Sequence, residues 1–351
     1  MKRLNVAVLG AGGLVAQRLQ QRLANHPWFE LRAVAGSPRY LGMALDDVPW
    51  VLEDERPSLP ALRVTDVSSP HAIEALAKEN VCVAFSALPS EEARRLEPMW
   101  VEAGITVFSN ASAFRRQEGV PFVIPEINPH ALVEQSAGPL RHACATNCTL
   151  LPLILPLAAL HEAYGLEGYT MRSEQGLSGG GQAYMEAALA EGTVKPTIPG
   201  EAEKTEAELR HLLGWNGEAT LDCGRTMRRD GHHVFVEATF ASSTDEAGIE
   251  QVLTAWSHDR RMNHLPSAPH QPLMLAPAID VKTHLFADGS GFPQSPNPAN
   301  ERAAGMAVVV ANLRCPRPNT VSFEAFSHNT IRGAAGGVVL LAELAHSMEL
   351  L

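Results

Sequence analysis

The run Leu4-Asn5-Val6-Ala7-Val8-Leu9, passing at once into Gly10-Ala11-Gly12-Gly13, constrains the fold more than any other stretch. An apolar segment without strict alternation reads as a strand buried on both faces, as parallel sheets require. An amphipathic helix follows to about Asn25, with Val15, Leu19 and Leu23 on one face. Strand, glycine turn and helix in that order open a dinucleotide-binding unit. Gly10 permits the tight turn, Gly13 lets backbone approach a pyrophosphate, and the small Ala16 allows close helix–strand packing. A glycine-rich turn without a ligand is the plainer alternative.

The second strand, Leu31 to Ala35, ends where an adenosine ribose would lie, and NAD-preferring proteins place a carboxylate there. This chain offers Gly36-Ser37-Pro38-Arg39 instead. A hydroxyl and a guanidinium suit a 2′-phosphate, so the expected cofactor is NADP; a solvated Arg39 is the alternative. Val81 to Phe85 is another buried strand, running into Ser86, and a helix from about Glu91 to Ala103 is expected with Ser90 as its cap. Ile105 to Phe108 forms one more strand, leading into Ser109-Asn110-Ala111-Ser112-Ala113-Phe114-Arg115-Arg116. Loops at strand carboxyl ends bind ligands in such sheets, so Arg115 or Arg116 could hold an anion.

Ala145-Thr146-Asn147-Cys148-Thr149 leads into an apolar helix, Leu150 to Leu160. With Thr146 or Asn147 as N-cap, Cys148 falls in the first turn, where free N–H groups and the helix dipole favour a thiolate. Cys148 is thus a candidate nucleophile, against the alternative of a buried structural cysteine. Beyond it the pattern suits an α+β second domain. Tyr169 to Gln175 reads as a strand entering Gly176-Leu177-Ser178-Gly179-Gly180-Gly181, a setting that suits substrate-orienting groups or a flexible hairpin. Glu201 and Lys204 share a helix face, as substrate contacts or an ordinary ion pair. Arg225 could clamp a carboxylate, and His232 follows an Asp-Gly turn at a strand edge, where it could transfer protons. Asp288 to Gly305 reads as a long loop, a lid or an intersubunit arm, and Met306 to Leu313 as a buried strand. A small-residue C-terminal helix opening at Ser327 is expected to pack onto the nucleotide domain.

The formal net charge of −11 argues against a nucleic-acid-binding surface while leaving room for a local basic pocket for a small anion, and no apolar run reaches spanning length. Five cysteines at irregular spacing make no disulfide framework and no zinc pattern; with no signal-peptide apolar region at the start, a cytoplasmic location is expected.

Taken in order, these parts resemble the aspartate-semialdehyde dehydrogenase family, in its archaeal and fungal-type branch. The resemblance runs through nearly the whole chain: the glycine turn, Phe85 to Ser90, Ser109 to Arg115, Asn147-Cys148-Thr149, Gln175 to Gly179, Glu201 with Lys204, Arg225 with His232, and Ser327 to Gly336. It implies an α/β fold with a Rossmann-type NADP-binding domain (1–146 and 328–351) and an α+β catalytic and dimerisation domain (147–327), the last helix returning to the first. It implies Cys148 as the thioester-forming nucleophile, Gln175 as its substrate-positioning neighbour and His232 as general acid/base. Arg225 would bind the substrate α-carboxylate, Glu201 its amino group, and Lys204 and Arg115 phosphate. Gly10, Gly13, Ser37, Arg39, Ser86, Gly179, Asn329 and Thr330 would hold NADP, the last two at the nicotinamide end. The implied reaction is reductive dephosphorylation of L-aspartyl-4-phosphate to the semialdehyde, in lysine, threonine and methionine biosynthesis, by a homodimer or homotetramer. Amides at the helix start near Cys148 would stabilise the oxyanion.

The chain departs from the family pattern in Cys144-Ala145-Thr146 before Asn147-Cys148, in Gly181-Gln182, and in Thr226-Met227-Arg228-Arg229, where the arginines add positive charge. These departures leave room for a related acyl donor such as malonyl-CoA. A non-catalytic NADP-binding homologue is the reading from another class, and an N-acetylglutamyl-phosphate reductase fits the Glu201/Lys204 element less well.

Overall fold

Two sheets of six strands organise the molecule. The structure, a computed structural model, describes residues 3–136 and 138–351; Met1, Lys2 and Ala137, all in the expected first domain, lie outside the described residues. The first sheet comprises β1 (Leu4–Leu9), β2 (Phe29–Gly36), β3 (Thr65–Asp66), β4 (Val81–Ser86), β5 (Thr106–Ser109) and β6 (His142–Cys144). Its order is β3-β2-β1-β4-β5-β6 with every neighbouring pair parallel. Helices α1 (Leu14–Leu23), α2 (Pro70–Lys78), α3 (Ser90–Glu102) and the short α4 (Ala131–Glu134) connect them. Along β1, Val6 and Val8 enter one core with Leu19 and Phe29, while Ala7 and Leu9 enter another with Leu96 and Trp100. Burial on both faces is why this strand is apolar without alternation. The strand order turns back between β1 and β4, which opens a crevice at their carboxyl ends, beside Gly10 and Ala87. Ser90 does not cap α3: it is the first helical residue after Pro89, and its hydroxyl meets that of Ser112 instead.

The second sheet comprises β7 (Leu166–Gln175), β8 (Glu218–Arg225), β9 (His232–Phe240), β10 (Leu273–Ala276), β11 (Val308–Arg317) and β12 (Thr320–Ser327). Its order is β10-β11-β12-β9-β7-β8, parallel only at its two outer pairs. Its inner face carries α5 (Leu150–Tyr164), α7 (Glu201–Leu213) and α8 (Glu246–Asp259), and α6 (Gln182–Glu191) lies between β7 and α7 in sequence. From Leu150 to Leu160 every residue of α5 is buried, so the helix is apolar all round and forms the centre of this core. Along β7, Tyr169, Met171 and Ser173 point inward and Thr170 and Arg172 outward, the alternation of a sheet covered on one side.

The last helix, α9 (Gly336–Ser347), returns to pack on α1 and β5, and one wide π-turn, Ile331–Ala335, precedes it. The Asp288 to Gly305 loop is fastened along α1, with the Arg22 guanidinium on the Arg302 carbonyl and Asn25 bonded to Asn300. Among the described residues no helix is long and apolar enough to cross a membrane.

Candidate active site

Strand register builds the site. At the end of β7, Gln175 pairs with Arg225 of β8 on one side and His232 of β9 on the other, and His232 pairs with Ser327 of β12. Residues scattered along the sequence thereby stand in one row at one end of the sheet. His232 opens an interior strand between β7 and β12, not the strand edge that the sequence suggested.

Cys148 faces this row from the loop ahead of α5, its Sγ 3.1 Å from His232 Nε2. As expected, Asn147 caps α5 by accepting from the N–H groups of Thr149 (2.9 Å) and Leu150 (2.8 Å), which places Cys148 between the cap and Leu150, the first regular helical residue. Those two amides are therefore committed, and the expected oxyanion role of the helix start does not extend to them. Nor is a resting thiolate favoured. Desolvation pushes the Cys148 thiol above its ordinary value and Glu201 adds to the rise, against Lys204, Arg225 and Arg115. Burial, reinforced by the charge of Arg225, pushes His232 down to about 3. The Gly176 N–H is shared between the Gly231 carbonyl (3.0 Å) and His232 Nδ1 (3.2 Å), which fixes the ring with Nε2 facing sulfur. The pair is neutral at rest.

Around it, the side-chain amide of Gln175 donates to Ser173 Oγ (3.3 Å), and Arg225 donates to the Gly176 carbonyl (2.9 Å) beneath the ring of Tyr184, 5.4 Å away. Gly179 packs so closely that a Cβ there would lie 2.7 Å from Arg225 Nη1 and 3.0 Å from His232 Nε2. Glu201 accepts from the Thr149 hydroxyl (3.2 Å) and is ion-paired with Lys204. Arg115 is buried and engaged at three points: Ala145 O (2.9 Å), Asn110 O (2.7 Å) and Glu208 Oε1 (2.7 Å). Arg228 binds the carbonyls of Glu174, Asp230 and Gly231, and its charge contributes to lowering His232, whereas Arg229 turns away to Val51 O and Glu53.

On the other side of the molecule's centre, Gly10 adopts φ +117° and receives Ala16 at 3.1 Å from a would-be Cβ, while Gly13, at the start of α1, has open space where a side chain would stand. Ser37 and Arg39 lie exposed after β2, with Arg39 over the ring of Tyr40 and Tyr40 against Gly12. Ser86 is buried at the end of β4, and its carbonyl accepts from Asn110. Asn329 joins the two halves of the site loop, donating to Ser178 Oγ (2.8 Å) and accepting from Gly231 N (2.7 Å); the Thr330 hydroxyl meets His328 Nδ1 at 3.5 Å. Sequence reasoning missed Glu208, Tyr184 and Gly333. Only Glu208 left a signal, as the i+7 partner of Glu201 on one helix face.

Residues 5–135 match the family model described as semialdehyde dehydrogenase, NAD binding domain. An aspartate-semialdehyde dehydrogenase of Archaeoglobus fulgidus is 34% identical, over 97% of this chain and 98% of its own length. A malonyl CoA reductase (NADP) of Metallosphaera sedula is 28% identical over 98% and 97%. Among solved structures, the aspartate semialdehyde dehydrogenase of Candida albicans with NADP superposes with a TM-score of 0.79 at 26% identity, covering 100% of both chains.

Proposed function

The chain belongs to the aspartate-semialdehyde dehydrogenase family, and from that premise we propose that it converts L-aspartyl-4-phosphate to L-aspartate-4-semialdehyde through a thioester on Cys148. The observation that carries this reading is the 3.1 Å approach of Cys148 Sγ to His232 Nε2 beside Gln175, with Arg225 in register next to it. As sulfur attacks the acyl carbon, His232 Nε2 accepts the thiol proton, the bond from that carbon to the phosphate oxygen breaks, and phosphate leaves with the electron pair. NADPH, when bound, supplies the hydride that reduces the thioester. The His232 imidazolium formed during the attack then returns the proton from Nε2 to sulfur as the carbon–sulfur bond breaks and the aldehyde leaves. Gln175, at the end of β7, is the side-chain donor best placed to hold the substrate carbonyl.

Arg225 keeps free donors for the α-carboxylate, and Glu201, tied to Thr149 next to the nucleophile, suits the ammonium group. Malonyl-CoA has no ammonium to meet that carboxylate, so Glu201 favours the amino-acid substrate. Lys204, beside Glu201, and Arg115 are the cations for phosphate. For the cofactor, the open position at Gly13 leaves room for a pyrophosphate at the start of α1, and Gly10 and Ser86 end the strands that border the same crevice. Ser37 and Arg39 meet the 2′-phosphate, with no carboxylate among residues 36–39 to repel it. Gly179, Asn329 and Thr330 border the nicotinamide end.

We draw the domain division at 1–146 with 328–351 against 147–327; the span of the two sheets and the return of α9 support it. The open face of the second sheet has a hollow of about 490 Å³ lined by Thr170, Arg172, Asp222, Phe235 and Glu324, which suits a homodimer or a homotetramer built from it. Five free thiols suit the reducing cytoplasm, and the reaction product suits lysine, threonine and methionine synthesis.

The test is NADPH formation from L-aspartate-4-semialdehyde, NADP and phosphate, followed by absorbance. Phosphate-dependent turnover is expected; turnover only with malonate semialdehyde and coenzyme A would overturn the substrate assignment. Arg39→Ala is expected to weaken NADP binding about tenfold while leaving NAD within twofold, read by calorimetric titration of both cofactors. An unchanged ratio removes Arg39 from the cofactor site.

A further inference from the structure

Both neighbours of the nucleophile hang from one face of α7. On one side, Thr149 donates its hydroxyl to Glu201 Oε1 at 3.2 Å. On the other, Glu208, 2% exposed, accepts at Oε2 from the Asn147 side-chain amide (2.9 Å) and backbone N–H (3.3 Å). Its Oε1 takes Arg115 at 2.7 Å, and Arg115 holds the carbonyl of Ala145 at 2.9 Å. Glu201 and Glu208 are two helical turns apart and share a face, with Thr205 between them in contact with Asn147 at 3.5 Å.

We propose that Glu208 is a positioning residue for the nucleophile: its carboxylate, shared between Arg115 and Asn147, holds the 145–149 loop in register with the substrate-binding end of α7. The proposal rests on the reading of Cys148 as nucleophile. Asn147 is the link. Its amide nitrogen is held by Glu208, and that orientation turns its oxygen toward the N–H groups of Thr149 and Leu150. A glutamine at 208 supplies one acceptor oxygen where the carboxylate supplies two, so Arg115 or Asn147 then faces an NH₂ donor. Either outcome loosens the cap that sets the height of Cys148 against His232.

Glu208→Gln is expected to lower kcat on the order of 100-fold, with the KM for L-aspartate-4-semialdehyde within about threefold. Asn147→Ala, which leaves the Arg115–Glu208 pair intact, is expected to lose kcat to the same extent, and the double variant little more. Hydrogen exchange of the Thr149 and Leu150 amides, read without substrate, is expected to quicken about tenfold in both single variants. Unchanged kcat in Glu208→Gln overturns the proposal, as do losses that multiply in the double variant or exchange rates that stay at the parent value. If Glu208→Gln does not fold, Glu208→Asp, which keeps the charge but shortens its reach to Asn147 and Arg115, carries the kcat and exchange readouts, and parent-like values in it overturn the proposal. A parent protein silent on the semialdehyde defeats the functional reading instead, and the exchange rates still decide the brace.

Discussion

At the residue scale the site is a neutral thiol facing a neutral imidazole. Cys148 is held above the ordinary thiol value of 9.0 by desolvation first and by Glu201 second. His232 is held near 3, so it carries no charge at neutral pH that would stabilise a thiolate. Alkylation of Cys148 by iodoacetamide in the free protein is therefore expected to keep accelerating beyond pH 9. A plateau between pH 6 and 8, followed by mass spectrometry of the modified peptide, would mean a thiolate–imidazolium pair and refute this account. Cys148→Ala is expected to abolish turnover with NADP affinity within twofold, since the side chain carries the covalent step and no cofactor contact. A sequence reader can name these residues but not their protonation. Cys148 at the mouth of a helix suggested a stabilised thiolate; the desolvation and the charge of Glu201 that reverse it come from elements far away in the chain.

At the scale of elements, the site depends on how closely backbone approaches it. In the π-turn, Gly333 lies against the nucleophile: a Cβ there would fall 2.6 Å from Cys148 Cβ. Gly333→Ala is expected to displace the thiol and lower kcat on the order of 100-fold, with far-ultraviolet circular dichroism unchanged. Parent-like kcat would show that the turn yields without moving Cys148. The first sheet was legible because its strands are buried on both faces and appear as unbroken apolar runs. In the second sheet β8, β10 and β12 escaped notice, and Ser327, read as the opening of the last helix, ends β12 instead, nine residues before α9 begins at Gly336. Glu218–Arg225 mixes charged, small and apolar residues on a strand half-open to solvent, and Thr320–Ser327 was read only at its last residue. The row Arg225–Gln175–His232 was hidden for the same reason: it arises from a register between β7, β8 and β9, and local periodicity carries no register across 50 residues or more. Glu208 was missed differently. It sits on a helix that was read correctly, but its partners Arg115 and Asn147 come from two other segments.

At the scale of the whole molecule, a few deeply buried histidines set the response to acid. His232 and His328, 0% and 1% exposed, are both pushed below the ordinary 6.5 by burial first and then by cations: Arg225 for His232, and Arg18 for His328. His26, bonded to Glu343 at 2.7 Å, shifts in the same direction because desolvation outweighs that carboxylate. An unfolded chain takes up these protons as pH falls through 6.5, whereas the folded chain takes them up only at lower pH. Stability from these groups is thus present above 6.5 and lost below it. Each adds a slope of about 1.4 kcal/mol per pH unit between its unfolded and folded values. The urea midpoint is therefore expected to fall steeply from pH 7.5 to pH 5.5, and His328→Asn to flatten the fall without removing it, because His232 and His26 remain. A midpoint that holds steady or rises over that range would mean that these histidines accept protons in the folded protein.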